Sequence, residues 1–199
     1  VDLKTGEYRV NCNADKSLVP ASTLKLVTTA TALDMFGSDY RFRTKLEYTG
    51  MISPKGTLEG DIYITGSGDP TLGSENSRIP KEQFIADCIN AIKRAGIKAI
   101  RGRIVADGSI CDSEGVSPFW TWEDMGNYYA AGAYGINYAD NLYRLTLKSG
   151  AAGTTPQIVG TEPVIPGLSF RNHLVSKVIS IDSAYIYGAP FQKERFIYG

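Results

Sequence analysis

The chain has 199 residues, enough for one ordinary domain or two small ones. Lys+Arg and Asp+Glu are 21 each, so the formal net charge is zero, and the excess positive charge that drives nonspecific nucleic-acid binding is missing. A 43% hydrophobic and 21% charged composition fits a folded globular protein, and no run approaches the roughly twenty apolar residues of a membrane span.

In chain order, Thr5-Gly6 reads as a turn and Glu7 to Cys12 alternates loosely, which predicts a strand. Asn13-Ala14-Asp15 breaks that pattern, and a helix is predicted to start near Pro20, because proline is favoured at the first helical position. Leu24, Val27, Thr31 and Met35 lie on one face of it, and Leu26, Ala30 and Leu33 on another. Only Lys25 and Asp34 are charged between Ser22 and Phe36, so the helix is expected to be buried, with Gly37 as its stop. Strands are predicted at Arg41–Tyr48 and Leu58–Thr65 around the turn Ser53-Pro54-Lys55-Gly56. A second helix fits Lys81–Ala95, where Phe84, Ile85, Cys88, Ile89 and Ile92 repeat at helical spacing before Gly96. Ile97–Ala106 is strand-like, giving an α/β order. Beyond Leu142 no helix is predicted. Short strands at Tyr143–Leu147, Ser183–Tyr187 and Arg195–Tyr198 suggest a small all-β module.

The leading chemical candidate is Ser22-Thr23-Leu24-Lys25. A serine and a lysine three apart share a helix face, so the amine can reach the hydroxyl. A serine hydroxyl is a weak nucleophile until a base takes its proton, and lysine becomes that base when desolvated. The free N–H groups of a first helical turn also favour the negative charge on an attacked carbonyl. The spacing alone recurs by chance in chains of this length. What argues for function is a lone lysine in a helix otherwise almost free of charge.

Other features weigh less. The single histidine, His173, excludes a metal site needing two His ligands and leaves one candidate for a Ser-His-Asp triad. Cys12, Cys88 and Cys111 form no C-x-x-C, cannot all pair, and are expected to be buried as small apolar residues. Gly66-Ser67-Gly68-Asp69-Pro70 follows a strand but lacks the third glycine of a nucleotide loop, and Pro70 and Gly73 argue against the helix start such a loop needs. Phe119-Trp120-Thr121-Trp122-Glu123-Asp124-Met125-Gly126-Asn127-Tyr128-Tyr129 packs aromatic rings beside paired acids. It reads equally as the wall of a cleft for a polar ligand or as a buried aromatic cluster with solvated acids.

Three blocks together resemble one family. Asn13 through Lys25 resembles the active-site segment of class C low-molecular-mass penicillin-binding proteins, the D-alanyl-D-alanine carboxypeptidases/endopeptidases of peptidoglycan metabolism. Gly60-Asp61-Ile62-Tyr63 through Thr71-Leu72 resembles a second family block, and Trp120 through Met125 with Tyr128-Tyr129 a third, in family order.

The resemblance implies an α/β and α+β multidomain fold. Residues 1–42 would be the N-terminal piece of a penicillin-binding acyl-serine transferase domain with the S-x-x-K helix, 43–142 an inserted α/β domain, and 143–199 a small all-β insertion, incomplete here. It implies Ser22 as the acylated nucleophile, Lys25 as its base, and the Ser22 N–H as half of an oxyanion hole. Asp124 would contact the side-chain end of the substrate's diamino acid, with Met125 and Tyr129 beside it, and Glu123 ranks below Asp124. The partners implied are a D-Ala-D-Ala stem peptide and β-lactams as acylating inhibitors, with no nucleic acid, no cofactor and no metal.

The family's S-x-N and K-T-G elements follow the S-x-x-K helix. Lys4-Thr5-Gly6 precedes it and Ser74-Glu75-Asn76 sits in a Gly/Pro/Ser-rich loop, so both read as accidental matches. The chain therefore looks like an N-terminal fragment, expected to hydrolyse D-Ala-D-Ala poorly by itself. A periplasmic or extracytoplasmic site of action follows from the substrate; no signal peptide is visible. The alternatives are a noncatalytic wall-binding module of the same fold, and a related serine esterase or β-lactamase.

Overall fold

A computed structural model describes residues 1–179 and 181–199. Its internal contacts divide the chain into two units, Val1–Arg41 and Phe42–Gly199.

In the first unit the Asp2 carboxylate accepts the backbone N–H of Lys4 and Thr5, and the Asp2 carbonyl accepts that of Gly6. Lys4-Thr5-Gly6 is therefore a turn, with Gly6 at φ +74°. The guanidinium of Arg9 pairs with Asp2 and, ahead of the backbone donors, holds its carboxyl below the ordinary value. The strand expected over Glu7–Cys12 does not form: alternation builds a strand only where a partner supplies the ladder. A short 3-10 turn, Ala21–Thr23, leads into helix α1, Leu24–Phe36, which ends at Gly37 (φ +76°), whose N–H reaches the Leu33 carbonyl. The expected burial of this helix is not found, since all of its residues are exposed. A unit of 41 residues has no second layer of structure to pack over it.

The second unit begins with six short strands: β1 (Lys45–Tyr48), β2 (Met51–Ile52), β3 (Thr57–Glu59), β4 (Ile62–Thr65), β5 (Ala99–Arg101) and β6 (Ile104–Asp107). Helix α2, Lys81–Arg94, connects β4 to β5. β4 pairs antiparallel with β1 and parallel with β6, while β3 pairs antiparallel with β2 and parallel with β5. Parallel neighbours require a crossover, which α2 provides. The β2–β3 turn is the expected one, with Gly56 N–H on the Ser53 carbonyl at 2.8 Å.

The strands expected over Leu58–Thr65 and Ile97–Ala106 are each split in two. Glycines cause the break. A Cβ on Gly60 would lie 2.0 Å from the Thr49 carbonyl oxygen, one on Gly50 2.0 Å from that of Glu59, and one on Gly102 2.0 Å from that of Gly60. The three backbones cross too closely for any side chain, and the Arg103–Asp61 ion pair at 2.6 Å pins the crossing. Leu58, Ile62 and Ile97 are buried here, with Leu46, Ile52, Ile92 and Ile100 packed against them. Gly60→Ala is expected to cost about 3 kcal/mol of unfolding free energy, measured by denaturant titration, because the new Cβ would meet backbone atoms of Thr49 and Gly50 rather than a side chain that can swing away.

The remaining strands are β7 (Arg144–Lys148), β8 (Gln157–Glu162), β9 (Ser169–Asn172), β10 (Tyr185–Tyr187) and β11 (Glu194–Tyr198). β7 and β8 are antiparallel; β11 pairs antiparallel with β10 and parallel with β9. Ile197 and Leu174 are the buried apolar residues of this part. Strands β8 and β9 were not predicted, since Gly160 interrupts one and the other reads Ser-Phe-Arg-Asn. The cysteines are free, and Cys12 and Cys111 are exposed rather than buried. No described helix is long and apolar enough to cross a membrane.

Candidate active site

Ser22 lies in the 3-10 turn ahead of α1, and Lys25 in the first turn of α1 itself. Thr23 ties this entry down, its N–H and hydroxyl both on the Pro20 carbonyl. Ala21 has φ +45°, a left-handed conformation uncommon outside glycine, so the residue before Ser22 is strained. Lys25 Nζ stands 3.5 Å from Ser22 Oγ. The contact is long, as such pairs often are without substrate. The Thr23 N–H is taken by the Pro20 carbonyl and that of Leu24 by the Ala21 carbonyl. Both side chains are exposed, and nothing in residues 1–41 desolvates the amine. The ring of His173, in the second unit, stacks on Tyr198 at 4.8 Å.

In the second unit, Trp122–Asp124 and Tyr128–Ala130 form short 3-10 turns. They fold the half-buried Asp124 back on its neighbours. Thr121 Oγ1 donates to Asp124 Oδ2 at 2.8 Å and the Tyr129 hydroxyl to Asp124 Oδ1 at 2.9 Å. Donating to Asp124 is the first cause that pushes the Tyr129 phenol above its ordinary value. Tyr129 should therefore keep its proton to higher pH than an unpartnered tyrosine. Asp124→Asn should bring its titration down, read by phenolate absorbance against a Tyr129→Phe control. Phe119 and Tyr128 are 91% and 78% exposed, so the buried-cluster reading of this stretch is not what forms. Gly126 lies against β10, where a Cβ would meet the Ile186 carbonyl oxygen at 1.4 Å. Beside it opens a cavity of about 220 Å³ lined by Met125, Asn127, Tyr143 and Arg195. Burial pushes the Tyr143 phenol up, against the opposing effect of Arg195.

Sequence reasoning missed the polar scaffold that holds this region. Asn137 is 8% exposed. Its Oδ1 accepts the Tyr134 N–H at 2.9 Å and Asn141 Nδ2 at 2.7 Å, and its Nδ2 donates to the Tyr134 carbonyl at 2.8 Å. Ala139, Asp140 and Asn141 all have positive φ (51°, 56° and 54°), an unusual run for residues other than glycine. The Ala139 N–H holds the Leu72 carbonyl, and Gly68 N–H holds that of Gly135. The Gly66–Pro70 loop is thus a docking surface for 135–139 with no helix opening from it, which excludes a nucleotide loop. The Asp/Asn density of 137–141 was the available signal, since those residues tolerate the left-handed region best. Among the described residues no group of His, Cys, Asp and Glu is placed to hold a metal.

Residues 1–195 match the D-Ala-D-Ala carboxypeptidase 3 (S13) family. Among similar proteins, the D-alanyl-D-alanine carboxypeptidase of Actinomadura sp. (strain R39) is 33% identical over 131 residues, 66% of this chain and 23% of that protein. The D-alanyl-D-alanine carboxypeptidase DacB of Haemophilus influenzae is 28% identical over 148 residues, 74% of this chain and 29% of that protein. The crystal structure of penicillin binding protein 4 (dacB) from Haemophilus influenzae superposes with a TM-score of 0.68 at 22% identity, covering 92% of this chain and 38% of that one. The chain thus spans about a quarter of the length of these curated relatives. Mixed α and β structure with several small sheets agrees with that multidomain fold. With a family match that runs over nearly its whole length, the chain belongs to the D-Ala-D-Ala carboxypeptidase 3 (S13) family.

Proposed function

We propose that the protein is a serine-type D-Ala-D-Ala carboxypeptidase/endopeptidase of peptidoglycan stem peptides, acting outside the cytoplasm and acylated by β-lactams. The observation that carries this reading is the Ser22–Lys25 pair at 3.5 Å in the first turn of α1, within a chain of this family. Lys25 takes the Ser22 proton as Oγ attacks the carbonyl of the penultimate D-alanine. The Ser22 N–H stabilises the oxyanion, the terminal D-alanine leaves as the protonated amine, and water releases the acyl group. Exposure of the amine means that this step needs the helix covered, since desolvation is what turns lysine into a base.

Asp124, held by Thr121 and Tyr129, is the acceptor for a free amino group on the substrate side chain, with Met125 and Tyr129 beside it. In this reading 1–42 belongs to the acyl-transferase domain, 43–142 is an inserted α/β domain, and 143–199 is a small β insertion. The test is release of D-alanine from a D-Ala-D-Ala pentapeptide by the intact protein. Release that stops on β-lactam treatment supports the reading; release that persists after full acylation contradicts it.

A further inference from the structure

The sheet β10-β11-β9 alternates in an unusual way. Along β11, Ile197 faces inward and is fully buried, which leaves Glu194, Phe196 and Tyr198 on the other face. Tyr187 lies opposite Phe196, and Tyr185 opposite Tyr198, so their side chains share that face. An outer sheet face is ordinarily polar; this one carries four aromatic rings.

Trp122 extends the set. Its ring stacks on Tyr187 at 6.0 Å and 17°, and Tyr187 meets Tyr198 edge-on at 6.0 Å and 62°. Trp122 and Tyr198 remain 58% and 46% exposed. Trp122, Tyr187, Phe196 and Tyr198 together line an open hollow of about 450 Å³, and among the described residues the one other that lines it is Glu123. Rings set at different angles with a carboxylate at the rim offer π faces and one negative charge. Arg171, opposite Phe196 on this face, is engaged by Glu194 at 2.8 Å, and the His173 ring stacks on Tyr198 at 4.8 Å. The hollow is thus complementary to positive charge, and with a single acceptor it suits a weakly hydrated cation better than one needing several hydrogen bonds.

We propose that Trp122, Tyr187, Phe196 and Tyr198, with Glu123, form an aromatic cage that binds an alkylated ammonium group. The cage uses Glu123, while Asp124 faces Thr121 and Tyr129; the two neighbouring acids serve different sites.

The experiment titrates the intact protein with choline at constant ionic strength. It follows the Trp122 indole N–H by NMR, the resonance being identified by its loss in Trp122→Phe. The neutral isostere 3,3-dimethyl-1-butanol is run alongside. Saturable choline shifts with a Kd of about millimolar order are expected. Tyr198→Leu should weaken binding about five- to thirtyfold, and Glu123→Gln about two- to fivefold. Equal binding of the isostere, shifts produced by N-acetylglucosamine oligomers and not by choline, or a cage that does not respond because other protein covers it would each overturn the proposal. β-Lactam labelling of the same samples reports folding and the acyl-serine reading separately. Labelled protein that ignores choline sinks only the cage, and unlabelled protein that binds choline sinks only the carboxypeptidase.

Discussion

Replacing Lys25 by alanine in the intact protein is expected to slow β-lactam acylation about a hundred- to ten-thousandfold, the range for losing a positioned general base. The expectation rests on geometry: within α1 and its leading turn, Lys25 Nζ is the basic group in contact with Ser22 Oγ, at 3.5 Å. Lys25→Arg should not rescue the rate, because a guanidinium keeps its proton. An arginine variant that acylates as fast as the wild type would mean that the residue acts through its charge and that another group takes the proton. Stopped-flow acylation with a chromogenic β-lactam separates these cases. A thermal melt of each variant checks that α1 is retained; a near-unchanged midpoint is expected, since Lys25 is exposed and surface substitutions shift stability little.

Asp124→Ala should lower kcat/KM on stem peptides with a free side-chain amine about ten- to a hundredfold, the range for one charge-assisted hydrogen bond. Penicillin acylation should stay near wild type, because the drug carries no such amine. Asp124 accepts from both Thr121 and Tyr129, so the aspartate also braces the turn. The two roles separate by substrate: loss confined to amine-bearing peptides marks recognition, and equal loss on peptide and drug marks bracing alone. Asp124→Asn keeps a hydrogen-bonding side chain without the charge, and should fall with the alanine variant on the amine-bearing peptide.

What the sequence made legible was local. Ser22 and Lys25 could be paired from their three-residue spacing together with the scarcity of other charge in the helix, and they do meet at 3.5 Å across the entry to α1. Helix α2 followed from its apolar repeat, and its start at Lys81 and end before Gly96 agree with the structure. The illegible parts are set by distant contacts. Nothing near Gly60 in sequence says that Thr49 and Gly102 will crowd it, so two strands became four. Asn137 looks like an ordinary loop residue until its partners at 134 and 141 are in place. Burial was overestimated. Helix α1 has a core composition but no layer over it in its own unit, and Cys12 and Cys111 lie on the surface. Glu7–Cys12 has the alternation of a strand without a neighbour to pair with. The aromatic segment at 119–129 left two readings open, and exposure of its rings removed the buried one.

The most direct test of the acyl-serine account is intact mass spectrometry of the full-length protein before and after incubation with a β-lactam, followed by a digest that locates the adduct. The account predicts one adduct of the drug's mass, on the peptide that contains Ser22, absent from Ser22→Ala. An adduct on a different residue, or none on a protein shown to be folded, would contradict it.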